Sequence, residues 1–245
     1  LGLRQENLLF LSYPDGYLHE FFDRYQNATD SLITAFNVGA TYGVGPSTDF
    51  HTLRFGAPAK YNKVNLILDL KEILRTFMPD HIILPLEFDQ HVDHIATYYF
   101  VKQALIELHK DLPQLEPTLH RFLVHWKDDK WPRKAATDAI EGLDVKDSKA
   151  GAISPPSDWA SAFPNNHLDW SKRERVPVPP EMLSTNPLAN LKMLSLAAHF
   201  SQGGPSFYGN YIHSDEIFWT ENLFLNSNIR LLPGALGANE KNLAP

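Results

Sequence analysis

HIILPLEFDQHVDH, residues 81–94, opens with an apolar run, Ile82 to Leu86, that contains two adjacent β-branched residues. Such a run reads as a short strand buried on both faces. Glu87 to Gln90 break it, and His91, Asp93 and His94 follow before a long helical pattern begins. Two imidazoles and a carboxylate are therefore gathered where a strand hands over to a helix. In open α/β sheets, ligands bind beyond the carboxyl ends of the strands.

The spacing bears on chemistry. On the first turn of a helix, residues three apart share a face, so His91 and His94 can converge on one point. Asp93 projects elsewhere and can fix one ring through a supporting hydrogen bond. Neutral imidazole is a good zinc ligand, and catalytic zinc takes three protein ligands plus water. This stretch supplies one or two of the three. The same residues also suit a plain helix start with two solvated histidines and Asp89 as N-cap. Spacing alone leaves both readings open, because H-x-D-H is a short pattern.

Composition narrows the classes. The 245 residues suffice for one large α/β domain or two small ones, and a hydrophobic content of 43% is ordinary for a globular chain. The formal charge of −7 carries no basic excess, so nothing favours nucleic acid or an anionic membrane surface. There is no cysteine, which excludes disulfides, thiolate ligands and cysteine nucleophiles; any zinc must rest on His and carboxylate. No apolar run is long enough for a transmembrane helix. No G-x-S-x-G elbow for a serine nucleophile occurs.

The rest of the chain frames that stretch. Asn7 to Leu11 reads as a buried strand ended by SYPDGY, whose Pro14, Asp15 and Gly16 form turns. Asp15 thus lies on a loop at a strand exit, suited either to turn hydrogen bonding or to a substrate hydroxyl. Tyr17 to Tyr25 is helix-compatible. Residues 37–58 read mostly as loop, with a brief strand over Thr52 to Phe55. His51, without a partner in sequence, reads as a surface or satisfied histidine.

Tyr61 to Met78 is predicted helical from Ile67, Leu70, Leu74 and Phe77, and Asp93 to Leu112 from Tyr98, Val101, Leu105 and Leu108. Leu119 to Trp126 reads as a further strand, with His125 at its exit. The alternation of strand and helix argues for a mainly parallel sheet. From Lys127 to Glu181 the many prolines, among them Pro155, Pro156, Pro179 and Pro180, predict an irregular insertion or cap. Residues 187–202 read as another helix with a stripe of Leu188, Leu191, Leu194 and Ala198. Tyr211 to Leu225 reads as a short helix.

Three segments, FLSYPDGYL at 10–18, PDHIILPLEFDQHVDH at 79–94 and LKMLSLAAHFSQ at 191–202, together resemble the LmbE-like or PIG-L-like zinc N-deacetylases, which remove acetyl groups from N-acetylglucosamine conjugates. The resemblance covers roughly residues 1–126 and 187–225. It implies an α/β, Rossmann-like single domain spanning 1–245, with 127–181 as the insertion. It implies zinc as cofactor and an N-acetylated amino sugar as small-molecule substrate.

By this resemblance His94 is the zinc ligand. His91 faces the substrate carbonyl as a cation or general acid, Asp93 tunes it, and Asp15 and Asp89 lie by the substrate. The family's His-Pro-Asp-Asp motif, source of two zinc ligands and of the base that activates water, occurs nowhere in these residues. The simplest account is a chain lacking its N-terminal segment. The alternative is a non-catalytic carbohydrate-binding or scaffold homologue that has lost the metal.

Overall fold

The computed structural model describes residues 4–43, 47–125, 168–184, 186–199 and 212–225. Most of the proline-rich segment expected as a cap, residues 126–167, lies outside them. Among the described residues four strands form one sheet: β1 (His81–Pro85), β2 (Thr118–Phe122), β3 (Glu174–Pro177) and β4 (Asp215–Asn222), in the order β1-β2-β4-β3. β3 runs antiparallel to β4, with Glu174 opposite Phe218 and Pro177 opposite Asp215. The sheet is therefore mixed rather than wholly parallel. The α/β class stands.

By their contacts the described residues form two compact units, one up to residue 120 together with 221–225, the other within 121–220. The first holds the helices α1 (Glu20–Asp23), α2 (Phe50–Phe55), α3 (Lys63–Phe77) and α4 (Val92–His109). α4 packs on α3 and on β1. Phe21, Tyr61, Leu66, Leu84, Phe100, Leu105, Leu108 and Leu119 are among its buried side chains. Phe22 stacks on Phe100 with centroids 4.2 Å apart. The helical periodicity of the sequence located α3 and α4 within a few residues. Of the α3 stripe, Ile67 and Leu74 are buried, Leu70 is half-buried and Phe77 is exposed.

Capping explains where these helices begin and end. The Asn62 side chain accepts from the Asn65 N–H at 2.9 Å to start α3. Met78, at φ 44, closes it in the left-handed region just before Pro79. The stretch 52–55, expected as a strand, is instead part of α2. Asp49 caps that helix by accepting from the Thr52 N–H at 3.0 Å, and Gly56 ends it at φ 85. Burial raises the Asp49 carboxyl pKa, but hydrogen bonds from Thr52 and Thr41 outweigh it and leave the group below its usual range. Asp49→Ala is expected to cost about 1 kcal/mol at pH 7. Because the folded carboxyl holds its proton less tightly than the unfolded one, this stability is present above about pH 4 and fades as pH falls through the folded value. Urea denaturation at pH 7 and pH 3 should show the gap between wild type and variant closing at the lower pH.

Four further expectations are corrected here. Asn7 to Leu11 is not a strand: Gln5–Asn7 makes a 3₁₀ turn, and Leu8 and Phe10 are exposed. β1 stands at the end of the strand order, and Ile83 is 64% exposed while Leu84 is buried. The run is thus covered on one face of the pleat, not two. Of the stretch 187–202, the described residues 187–199 are α-helical over α5 (Leu191–Ala197), after a 3₁₀ turn at Pro187–Ala189. Its stripe is not buried, since Leu188, Leu191 and Leu194 are exposed. Finally, Tyr211 to Leu225 yields the strand β4 rather than a helix.

The second unit is held by its own polar contacts. Arg175 on β3 pairs with the buried Asp215 on β4 at 2.7 Å, and the Trp219 indole donates to the Asp169 carbonyl at 3.2 Å. Asn190 caps α5 by accepting from the Met193 N–H at 2.9 Å.

Candidate active site

The chain leaves β1 at Pro85, buries Leu86, and turns through 86–89 with the Asp89 N–H donating to the Leu86 carbonyl at 3.1 Å. Asp89 Oδ1 then accepts the His91 N–H at 2.9 Å, an Asx turn that aims the chain into α4. The N-cap of α4 is His91, not Asp89: its Nδ1 accepts the Asp93 N–H at 3.2 Å. That bond fixes a tautomer. With Nδ1 accepting, the proton of the neutral ring sits on Nε2. Nε2 lies 3.9 Å from Asp15 Oδ1.

The three residues that follow are separated in role by their surroundings. Asp93 is buried, and its two oxygens accept the backbone N–H groups of Gly16 and Leu18, the latter at 3.0 Å. It therefore clamps the Tyr-Pro-Asp-Gly loop onto the first turn of α4. Asp15, at the tip of that loop, has a side chain 95% exposed. Gly16 takes φ 80, a conformation that glycine adopts without strain. Asp89 has no exposed side-chain surface, and its Oδ1 lies 3.1 Å from His94 Nδ1. The His91 and His94 rings are 4.8 Å apart, centroid to centroid. The structure thus gathers Asp15, Asp89, His91, Asp93 and His94 beyond the carboxyl end of β1.

The donor set suits zinc. A buried carboxylate lies against His94 Nδ1, and imidazole with carboxylate oxygen is a donor set that zinc accepts. The ligating atoms of Asp15, His91 and Asp93 form a further group lying within 4.8 Å of one another. Asp93 is its least available member, because its oxygens already accept two N–H groups.

One buried cluster was not legible in sequence. His51 on α2 places Nδ1 2.6 Å from Asp69 Oδ1 on α3, and the Tyr13 hydroxyl donates to Asp69 Oδ2 at 2.8 Å. The expectation of a satisfied histidine holds for His51, which is buried. Its partner lies 18 residues away on another helix, so no local pattern marks the pair.

The fold and this corner define a mixed α/β protein with a histidine–carboxylate cluster at a strand-to-helix junction. Residues 1–105 match the family model PIG-L, described as GlcNAc-PI de-N-acetylase. The matched residues include two of the three segments that carry the resemblance, 10–18 and 79–94. The family is one of deacetylase-type hydrolases and is generally zinc-dependent. No curated protein and no solved structure gave a match. No helix among the described residues is long and apolar enough to cross a membrane.

Proposed function

We propose that this protein is a zinc-dependent hydrolase that removes the N-acetyl group from an amino sugar or its conjugate. The observation that carries this reading is the pairing at the start of α4. His94 lies against a buried carboxylate, and His91 presents an Nε2 proton beside an exposed aspartate. The match of residues 1–105 to the PIG-L family model supports it.

The residues divide the work as follows. His94, with Asp89 behind it, would hold the metal. Zinc, when bound, polarises a carbonyl and lowers the pKa of its water toward neutrality. His91 Nε2–H is the donor for the oxygen of the acetyl group, where negative charge develops as the carbonyl becomes tetrahedral. Asp15, solvated and acceptor-only when ionised, suits the hydroxyls of a sugar ring. Asp93 acts through the backbone: it holds the loop that carries Asp15 and the turn that carries His91.

The test is release of free amine and acetate from N-acetylglucosamine and its conjugates, with and without added zinc. Turnover that requires zinc and leaves equal amounts of amine and acetate supports the reading. Saturable sugar binding with no amine released would instead favour the carbohydrate-binding alternative.

A further inference from the structure

The loop at 12–18 is held from two directions by buried carboxylates. Asp93 takes the N–H groups of Gly16 and Leu18 on its far side. On its near side Tyr13 turns inward, packing against Phe21 and Tyr61 at ring separations of 6.1 and 6.0 Å, and gives its hydroxyl to Asp69. Ser12, at φ 57, sits in the left-handed region, which a non-glycine residue keeps only when neighbouring contacts impose it. Asp69 is fully buried on α3 and has a second partner in His51 on α2. Asp15 lies between the two anchors and reaches solvent beside His91.

We propose that Asp69 and His51 are positioning residues for the sugar-binding loop: through the Tyr13 hydroxyl they fix the backbone that presents Asp15, and thereby set affinity for the hydroxylated ring of the substrate. This rests on the reading of Asp15 as a substrate-facing residue. The chemistry of the relay is consistent with a fixed rather than a shuttling role. Burial, then the charge of Asp69, pushes the Tyr13 hydroxyl up, so it stays protonated and donates. Burial also raises Asp69, against the opposing effect of the Tyr13 and His51 hydrogen bonds. In either protonation state Oδ2 can accept from Tyr13, while Oδ1 and His51 Nδ1 share one proton between them.

That symmetry supplies a conservative variant. Asp69→Asn keeps an oxygen for Tyr13 and offers an N–H to His51, whose neutral ring needs only to change tautomer. Asp69→Leu keeps similar volume and removes both bonds. Tyr13→Phe keeps the ring packing and removes the hydroxyl alone.

Two measurements on the full chain decide the matter: amide hydrogen exchange at Gly16 and Leu18, and the KM and kcat for N-acetylglucosamine conjugates, with the Kd for N-acetylglucosamine alongside. Tyr13→Phe and Asp69→Leu are expected to speed exchange at Gly16 and Leu18 by about tenfold, the equivalent of one hydrogen bond to a charged group. Both should raise KM and Kd several-fold while kcat stays within about twofold. Asp69→Asn should return both readouts toward wild type. Unchanged exchange at Gly16 and Leu18 in Tyr13→Phe would overturn the loop anchor. Faster exchange with unchanged KM and Kd would reduce the relay to a stability element and overturn the positioning role. If the wild type neither binds nor turns over the sugar, the deacetylase reading of Asp15 fails and the substrate-affinity part of the proposal falls with it. The exchange data then still decide, separately, whether the relay anchors the loop.

Discussion

His91→Ala is expected to leave zinc affinity within a few-fold of wild type and to slow amide hydrolysis by about 10²–10⁴-fold, the usual range for a positioned acid–base group. His94→Ala is expected to do the opposite, removing the metal and activity together. The contrast follows from the surroundings of the two rings. His94 Nδ1 lies 3.1 Å from Asp89, whose side chain is wholly buried, so an imidazole and a carboxylate stand together as donors for a metal. His91 Nδ1 is spent on the N-terminus of α4, and its Nε2 faces Asp15 rather than a buried carboxylate. Asp89→Asn belongs between them, with zinc affinity down by about 10–100-fold, as removal of an orienting partner typically costs. Zinc titration calorimetry on the wild type and three variants gives the ranking, and an amine-release assay gives the rates. Equal zinc affinity in wild type and His94→Ala would defeat the ligand assignment. A His91→Ala enzyme as fast as wild type would remove His91 from the chemistry.

The site was more legible in sequence than the sheet. His91, Asp93 and His94 lie within four residues, so local helix geometry alone places them on one turn. Asp15 is brought to them by a loop whose Tyr-Pro-Asp-Gly turn chemistry is also local. What the pattern did not show is how Asp93 acts. Its carboxylate is occupied by the Gly16 and Leu18 N–H groups, a contact that spans more than seventy residues of chain. The Tyr13–Asp69–His51 cluster was hidden for the same reason.

The sheet was misread where an apolar run was equated with two covered faces. Ile82 to Leu86 fits a central strand, yet burial alternates along β1, and Leu84 is covered where Ile83 is not. β4 was missed because its aromatics suggested a helix. Its buried residues Asp215, Ile217 and Trp219 fall at every second position, which is the period of a strand. Asp215 obscured the alternation, because an aspartate reads as outward-facing until its ion pair with Arg175 is seen.

The same distinction predicts opposite outcomes for two aliphatic residues that sequence reading would rank alike. Leu105 lies in the second half of α4, has no exposed surface, and belongs to the cluster with Phe100, Leu108 and Leu119. Leu105→Ala removes apolar atoms from a site closed on all sides, so transfer and cavity costs add, and a loss of about 2–5 kcal/mol is expected. Ile83 occupies the uncovered face of a strand at the end of the strand order. Ile83→Ala is expected to change stability by no more than about 0.5 kcal/mol, as for other solvated positions. Ile83→Lys should be tolerated too, since a charge on an outer strand disfavours pairing with other chains. Denaturant midpoints at constant m-value separate these cases. A cost for Ile83→Ala comparable to that of Leu105→Ala would mean that another surface covers β1 in solution, and the same variant would then shift the sedimentation profile if that surface were a second copy of the chain.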